Sequence, residues 1–182
     1  MGRFSLCSQD FHALRFIGMI AMNVSEFRMN DWINHLDIEN GIIETVTSLP
    51  TDETVFLKHF PDFPVLPGTY IIETMAQACG TFMLAQQSFT MLPFLVSIEK
   101  SKFTEFSKPQ DTLIFKCILK RQRKKLSVFD VIVIKKGKEI ANATIKMGCM
   151  PFPSSVVKEH LRNNAGLIGL SSNCHTKQTL AL

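Results

Sequence analysis

Glu73 is an ionisable residue inside an otherwise apolar run, and His59 precedes it across a dense cluster of prolines. A carboxylate among apolar neighbours is costly without partners. Burial would raise its pKa toward a range that suits a general acid. Thr69 and Gln77 stand four residues either side of Glu73, so a helix puts all three on one face. Gly80 and Thr81 extend that stripe. The plainer reading is a glutamate that reaches solvent at a helix edge. His59 is the residue near the turn whose unperturbed pKa suits general-base work at neutral pH. A lone histidine is also compatible with a structural or exposed role. Gly68 follows Pro67 at the expected helix start, where unpaired N–H groups and the helix dipole favour developing negative charge. A carbonyl seated there would be polarised, although glycine is also a tolerated cap. Together the three supply a base, an acid and an oxyanion donor within one short span.

Their positions depend on three kinds of element. The turn His59-Phe60-Pro61-Asp62-Phe63-Pro64-Val65-Leu66-Pro67-Gly68 is rigid, because proline fixes the backbone. From Thr69 to Gln87 a proline-free, helix-favouring run is apolar nearly all round, which predicts a buried helix. Strands are predicted at Ile42 to Leu49, Leu95 to Phe103, Thr112 to Arg121, Leu126 to Lys135 and Glu139 to Met147, with a short one at Thr54 to Leu57. Lys136-Gly137 and Arg123-Lys124-Lys125 mark turns. One buried helix followed by a meander indicates an α+β fold with an antiparallel sheet around the helix.

The chain of 182 residues suits one domain. Residues 30–150 carry the pattern above. Residues 1–29 form an N-terminal extension, either an early start or an added helix. Its apolar stretch Phe11 to Val24 is interrupted by His12 and Arg15, against a signal peptide or membrane span. Residues 151–182 are expected to be a weakly ordered tail, with a short helix over Val156 to Arg162. The net charge of +4 is mild for a nucleic-acid binder. Cys7, Cys79, Cys117, Cys149 and Cys174 show no metal or redox spacing, which suggests a reducing, cytoplasmic setting. His12, His35, His59, His160 and His175 show no ligand spacing, and there is no glycine-rich nucleotide loop. No metal or cofactor is expected.

The run from His59 through Gln77 resembles the signature of the 3-hydroxyacyl-(acyl-carrier-protein) dehydratases of type II fatty-acid synthesis, H-F-P-x-x-P-V-x-P-G followed by a helix bearing E-x-M-A-Q. The histidine-to-glutamate spacing matches without a gap, and the resemblance extends over roughly Gly41 to Met150. It implies a hotdog fold, with at least a homodimer and in many members a trimer of dimers. It implies that a histidine from one subunit works with an acid from the other, on a thioester carried by acyl carrier protein. By that resemblance His59 is the base, Glu73 the acid and the Gly68 amide the carbonyl donor. Thr69 adjoins the substrate, and Gln77 holds Glu73 or a water. Glutamate at the acid position favours plain dehydration over the related dehydratase–isomerase chemistry. The chain departs from the pattern at Lys58 and Asp62, where glycine is usual, at Thr69 and Thr74, and in lacking the usual opening motif. A hotdog thioesterase and a non-catalytic acyl-carrier binding module are the competing readings. The run Lys120-Arg121-Gln122-Arg123-Lys124-Lys125 reads either as a carrier-docking patch or, preferably, as a solvated hairpin end. Arg28 and Lys102 are other basic candidates for docking. Chain length is expected to depend on residues such as Phe82 and Phe103.

Overall fold

A computed structural model describes residues 29–51, 55–56, 59–60 and 62–170. The expectations placed on residues 1–28, on Lys58 and on 171–182 lie outside the described residues, as do Cys7, Cys174, His12 and His175.

Alternating burial builds the sheet. β4 (Thr112–Arg123) buries Leu113, Phe115 and Cys117, and β5 (Leu126–Lys135) buries Ser127, Phe129, Val131, Val133 and Lys135. Register sets Phe115 opposite Val133 and Cys117 opposite Val131, so the apolar residues form continuous rows across one face. β2 (Ile42–Ser48) flanks β4, and β6 (Lys138–Met150) flanks β5. Lys136 and Gly137 turn the chain between β5 and β6 with φ of +50° and +76°, the left-handed pair that a two-residue hairpin of this twist requires.

α1 (Gly68–Gln86) lies on the apolar face and packs against β2, β4, β6 and β3 (Leu92–Phe103). Ile71, Met75, Cys79, Phe82 and Met83 are almost wholly enclosed, and the Phe82 ring meets Phe129 edge-on at 5.7 Å. The helix ends where Ser88 and Phe89 adopt positive φ. The Phe89 N–H bonds back to the carbonyl of Leu84, and its buried ring anchors that end in the core.

The six-stranded antiparallel sheet has the order β1-β2-β4-β5-β6-β3, where β1 is Trp32–Asp37 and β3 is Leu92–Phe103. The expected meander is therefore only partly realised. β3 pairs with β6 rather than with β4, because the irregular segment 104–111 carries the chain across the sheet before β4 begins. β1 carries little strand signal in the sequence, because polar residues interrupt it and a register shift between Ile33 and His35 breaks the period of two. Of the short strand expected at Thr54 to Leu57, Thr54 and Leu57 lie outside the described residues; Val55 and Phe56 are helical rather than extended, with Phe56 buried in the core.

The weakly ordered tail expected from Pro151 is also corrected for its first part. Ser155–Leu167 forms α2, longer than the short helix foreseen, with Ser154 Oγ accepting the Val157 N–H at its start. Ala165, Ile168 and Leu170 are buried, and the Ile33 N–H donates to the Ile168 carbonyl at 2.8 Å. The segment after α2 thus occupies the outer edge of β1. Among the described residues no helix is long and apolar enough to cross a membrane.

Candidate active site

His59 is held by a closed local loop. Its backbone carbonyl accepts the Val65 N–H at 3.1 Å, and its ring Nδ1 lies 3.2 Å from the Val65 carbonyl oxygen. A carbonyl can only accept, so this contact favours the neutral tautomer that carries its proton on Nδ1 and its lone pair on Nε2. That is the form a general base needs. The half-buried imidazole stacks on the exposed Phe60 ring with centroids 4.4 Å apart. The proline-rich turn provides these contacts by bringing Val65 back beside His59.

Gly68 begins α1 after Pro67, whose φ of −57° and ψ of 138° place it as the helix cap. No side chain caps this end, and the Tyr70 N–H turns back to the Pro67 carbonyl. The Gly68 and Thr69 N–H groups have no hydrogen-bond partner among the described residues. Two outward N–H groups at a helix N-terminus suit a polarised carbonyl oxygen. The Phe103 ring covers this glycine, and a Cβ added there would sit 3.4 Å from the ring edge.

Glu73 lies on the side of α1 that the sheet leaves uncovered. Thr69 and Gln77 are exposed and Glu73 is half-buried, whereas Gly80 and Thr81 further along the same stripe are buried. In the single chain, Glu73 is therefore not the core-enclosed acid that the apolar run suggested. Gln77 Nε2 donates to Glu73 Oε1 at 3.2 Å and approaches the Met29 Sδ at 3.2 Å. Gln77 thus holds Glu73 directly. The turn bearing Glu73 is also pinned from below. Buried Asn30 donates to the Thr74 carbonyl at 3.4 Å and accepts from the Thr45 hydroxyl at 2.5 Å. The Thr47 hydroxyl donates to the Met29 carbonyl.

The sequence names His59, Gly68, Thr69, Glu73 and Gln77 as candidates and does not show what holds them. Asn30 was detectable only as a polar residue before an unrecognised strand, and a backbone acceptor such as the Val65 carbonyl has no sequence signature. Among the described residues no cluster of histidine, cysteine and acidic side chains has metal-binding geometry. The basic run Lys120 to Lys125 sits at the β4–β5 hairpin end. There Gln122 and Gln86 exchange hydrogen bonds at 2.9 and 3.3 Å, tying it to the last turn of α1. At 1.5 Å rise per residue, that is about 27 Å along the helix from Gly68 in the same chain. The solvated-hairpin reading fits this placement better than docking beside the chain's own site.

Residues 23–144 match the family described as FabA-like domain. A 3-hydroxyacyl-(acyl-carrier-protein) dehydratase FabZ of Pseudothermotoga lettingae is 30% identical over 105 residues, covering 58% of this chain and 74% of that protein. A FabZ of the same description from Wolbachia sp. subsp. Brugia malayi is 32% identical over 107 residues, covering 57% and 73%. Among solved structures, the PaaI protein from the E. coli phenylacetic acid degradation operon superposes with a TM-score of 0.52 at 15% identity, covering 78% of this chain and 91% of that one. A hypothetical thioesterase protein from Streptococcus pneumoniae TIGR4, solved with coenzyme A, gives 0.51 at 15%, covering 67% and 91%. These likenesses, with the helix against the six-stranded antiparallel sheet, show the hotdog fold.

Proposed function

Because the chain belongs to the FabA-like domain family, we propose that it removes water from 3-hydroxyacyl thioesters carried by acyl carrier protein, giving trans-2-enoyl thioesters. That it is an enzyme of the hotdog family acting on acyl thioesters is supported by the family match and the relatives together. The observation that carries the dehydratase proposal is the 3.2 Å contact between His59 Nδ1 and the Val65 carbonyl oxygen. It supports a ring protonated on Nδ1, with the Nε2 lone pair as the site that takes a proton.

In this reading the thioester carbonyl accepts from the Gly68 N–H, which acidifies the adjacent C–H as enolate character develops. His59 takes that proton. Glu73 of a second subunit protonates the departing hydroxyl, so carbon loses one proton and one hydroxide and water leaves. Gln77 orients the Glu73 carboxyl, and Thr69 lies beside the bound carbonyl.

A homodimer is part of the proposal. β3 is an edge strand twelve residues long, and Phe94, Leu95, Val96 and Phe103 on it are exposed. A long apolar edge is a pairing site unless it is covered. The exposed face of Thr69, Glu73 and Gln77 is likewise open to a second chain. Assembly into a trimer of dimers is carried over from the resemblance. A cytoplasmic setting belongs to the same proposal and is consistent with Cys79, Cys117 and Cys149 being free thiols.

The test is product analysis with a series of 3-hydroxyacyl-carrier thioesters of different length. Enoyl thioester is the expected product, and His59→Ala and Glu73→Gln should each lose about 10²–10⁴-fold in turnover while remaining dimeric. Release of free thiol instead of enoyl product would establish a thioesterase. Near-normal dehydration by either variant would remove that residue from its role.

A further inference from the structure

Lys135 closes β5 at a position where strand alternation points inward. Ser127, Phe129, Val131 and Val133 precede it on the same face, and register sets it opposite buried Leu113. An ammonium group at such a position is costly unless fully paired. Here the side chain is 9% exposed and paired three times, with Glu105 Oε1 at 2.6 Å, Asp111 Oδ2 at 3.3 Å and the Phe106 carbonyl at 2.7 Å. All three acceptors belong to the segment 104–111 that crosses from β3 to β4.

That segment in turn grips the proline-rich turn. The Ser107 carbonyl accepts the Leu66 N–H at 2.7 Å, and Ser107 is 1% exposed. The Phe106 ring meets Phe63 edge-on at 5.7 Å, and the Lys108 ammonium lies 4.9 Å from the Phe63 centroid. Val65, immediately before Leu66, holds both the backbone and the ring of His59, and Gly68 follows three residues after Val65. The far side of the crossing is fixed by backbone bonds, Leu49 N–H to the Asp111 carbonyl and Gln110 N–H to the Leu49 carbonyl. The near side, facing the turn, is held by Lys135 at Glu105 and Phe106, together with Lys138 on Glu105 and the Thr104 N–H and hydroxyl on the Ile140 carbonyl.

We propose that Lys135 is a positioning residue of the active site: its ammonium group fixes segment 104–111, and through the Leu66–Ser107 hydrogen bond that segment aims the His59 ring and the Gly68 N–H. The proposal rests on the dehydratase reading for its kinetic consequence but not for its structural one. Misplacement of reacting groups by about 1 Å costs up to about 10²-fold, so Lys135→Met should lower kcat by roughly 10- to 100-fold. KM should change little, because Lys135 touches no substrate.

A lysine that merely stabilised the fold would lower activity only in proportion to the unfolded fraction. The separating readout is the ¹⁵N spectrum of the His59 ring in the full-length protein. Lys135→Met should lose the single protonated Nδ1 signal and show averaging of the two ring nitrogens, in a sample that circular dichroism shows to be folded. Lys135→Arg, which keeps the charge, should restore much of both readouts. The proposal is overturned if folded Lys135→Met keeps wild-type kcat and ring spectrum, or if kcat falls while the ring spectrum is unchanged. If Lys135→Met does not fold, Glu105→Gln and Asp111→Asn each remove one partner, and wild-type behaviour of both overturns it. A wild-type protein inactive on every 3-hydroxyacyl thioester would refute the dehydratase reading, and the ring spectrum would still decide the role of Lys135.

Discussion

Nδ1 of His59 lies 3.2 Å from the carbonyl oxygen of Val65, within a ring of contacts in which the Val65 N–H also bonds the His59 carbonyl. The histidine and its acceptor are six residues apart along the chain, so the contact that favours this tautomer is made within one short stretch of chain. The expected ¹⁵N spectrum of the neutral ring has its proton on Nδ1. A spectrum with the proton on Nε2 would contradict both the contact and the base assignment.

Gly68 offers a way to remove one N–H without removing a side chain. It is the first residue of α1, where proline is well tolerated, and Pro67 already has the extended ψ that a following proline demands. Gly68→Pro should therefore keep the fold and lower kcat by about 10²–10³-fold, the usual effect of losing an oxyanion donor. Gly68→Ala keeps the N–H, and the nearest atoms to its Cβ would be those of the Phe103 ring, at 3.4 Å and beyond, which is ordinary contact. It should retain far more activity. Equal rates for the two variants would dismiss the donor role.

Gln77 Nε2 is the donor that orients Glu73. A hydrogen bond to a charged group contributes about 1.5–3 kcal/mol, and the exposure of Gln77 in the single chain puts its effect at the low end. Gln77→Leu should reduce kcat roughly tenfold with little loss of thermal stability. Steady-state kinetics beside a melting curve would check this, and unaltered kcat would leave Gln77 without a part in the site.

Cys79 is enclosed between α1 and the sheet. Burial first, and then the hydrogen bond with Cys117, push its thiol well above the ordinary value. Little thiolate forms, so the group should be inert to alkylating reagents. Peptide mapping after iodoacetamide treatment at mild alkaline pH should find Cys79 unmodified in folded protein and labelled in urea. The same shift makes the fold less stable as pH rises above the unfolded thiol value of about 8.5, because only the unfolded chain ionises readily there.

Glu105 is held below the usual carboxylate range by its hydrogen bonds to Lys135 and Lys138. For Lys135, burial acts to lower the pKa, and the bonds to Glu105 and Asp111 outweigh it and raise the pKa above the ordinary value. The Glu105 contribution is thus complete above its unfolded pKa of about 4.3 and fades as pH falls through the lower folded value. The Lys135 contribution is complete below about 10.4 and fades as pH rises through the higher folded value. Wild type should melt above Glu105→Gln at neutral pH, and the gap should close in acid. A gap that persists in strong acid would assign it to packing rather than charge.

Much of this protein follows from its sequence alone. The period of two over Thr112 to Met147, the left-handed pair Lys136-Gly137 and the proline-free run after Pro67 define the strands, the hairpin and the helix, because each depends on local backbone preference and side-chain alternation. His59, Gly68 and Glu73 are legible for the same reason: their spacing across a stiff turn is a local property. The tertiary structure decided the rest. Only the crossing segment determines that β3 pairs with β6 and leaves an apolar edge, since strand pairing is a non-local choice. That Glu73 faces outward rather than into the core depends on which side of α1 the sheet covers. The Val65 carbonyl behind His59, Asn30 beneath the Glu73 turn, and Lys135 tied to segment 104–111 join residues distant in sequence or use backbone atoms, which no side-chain pattern reports.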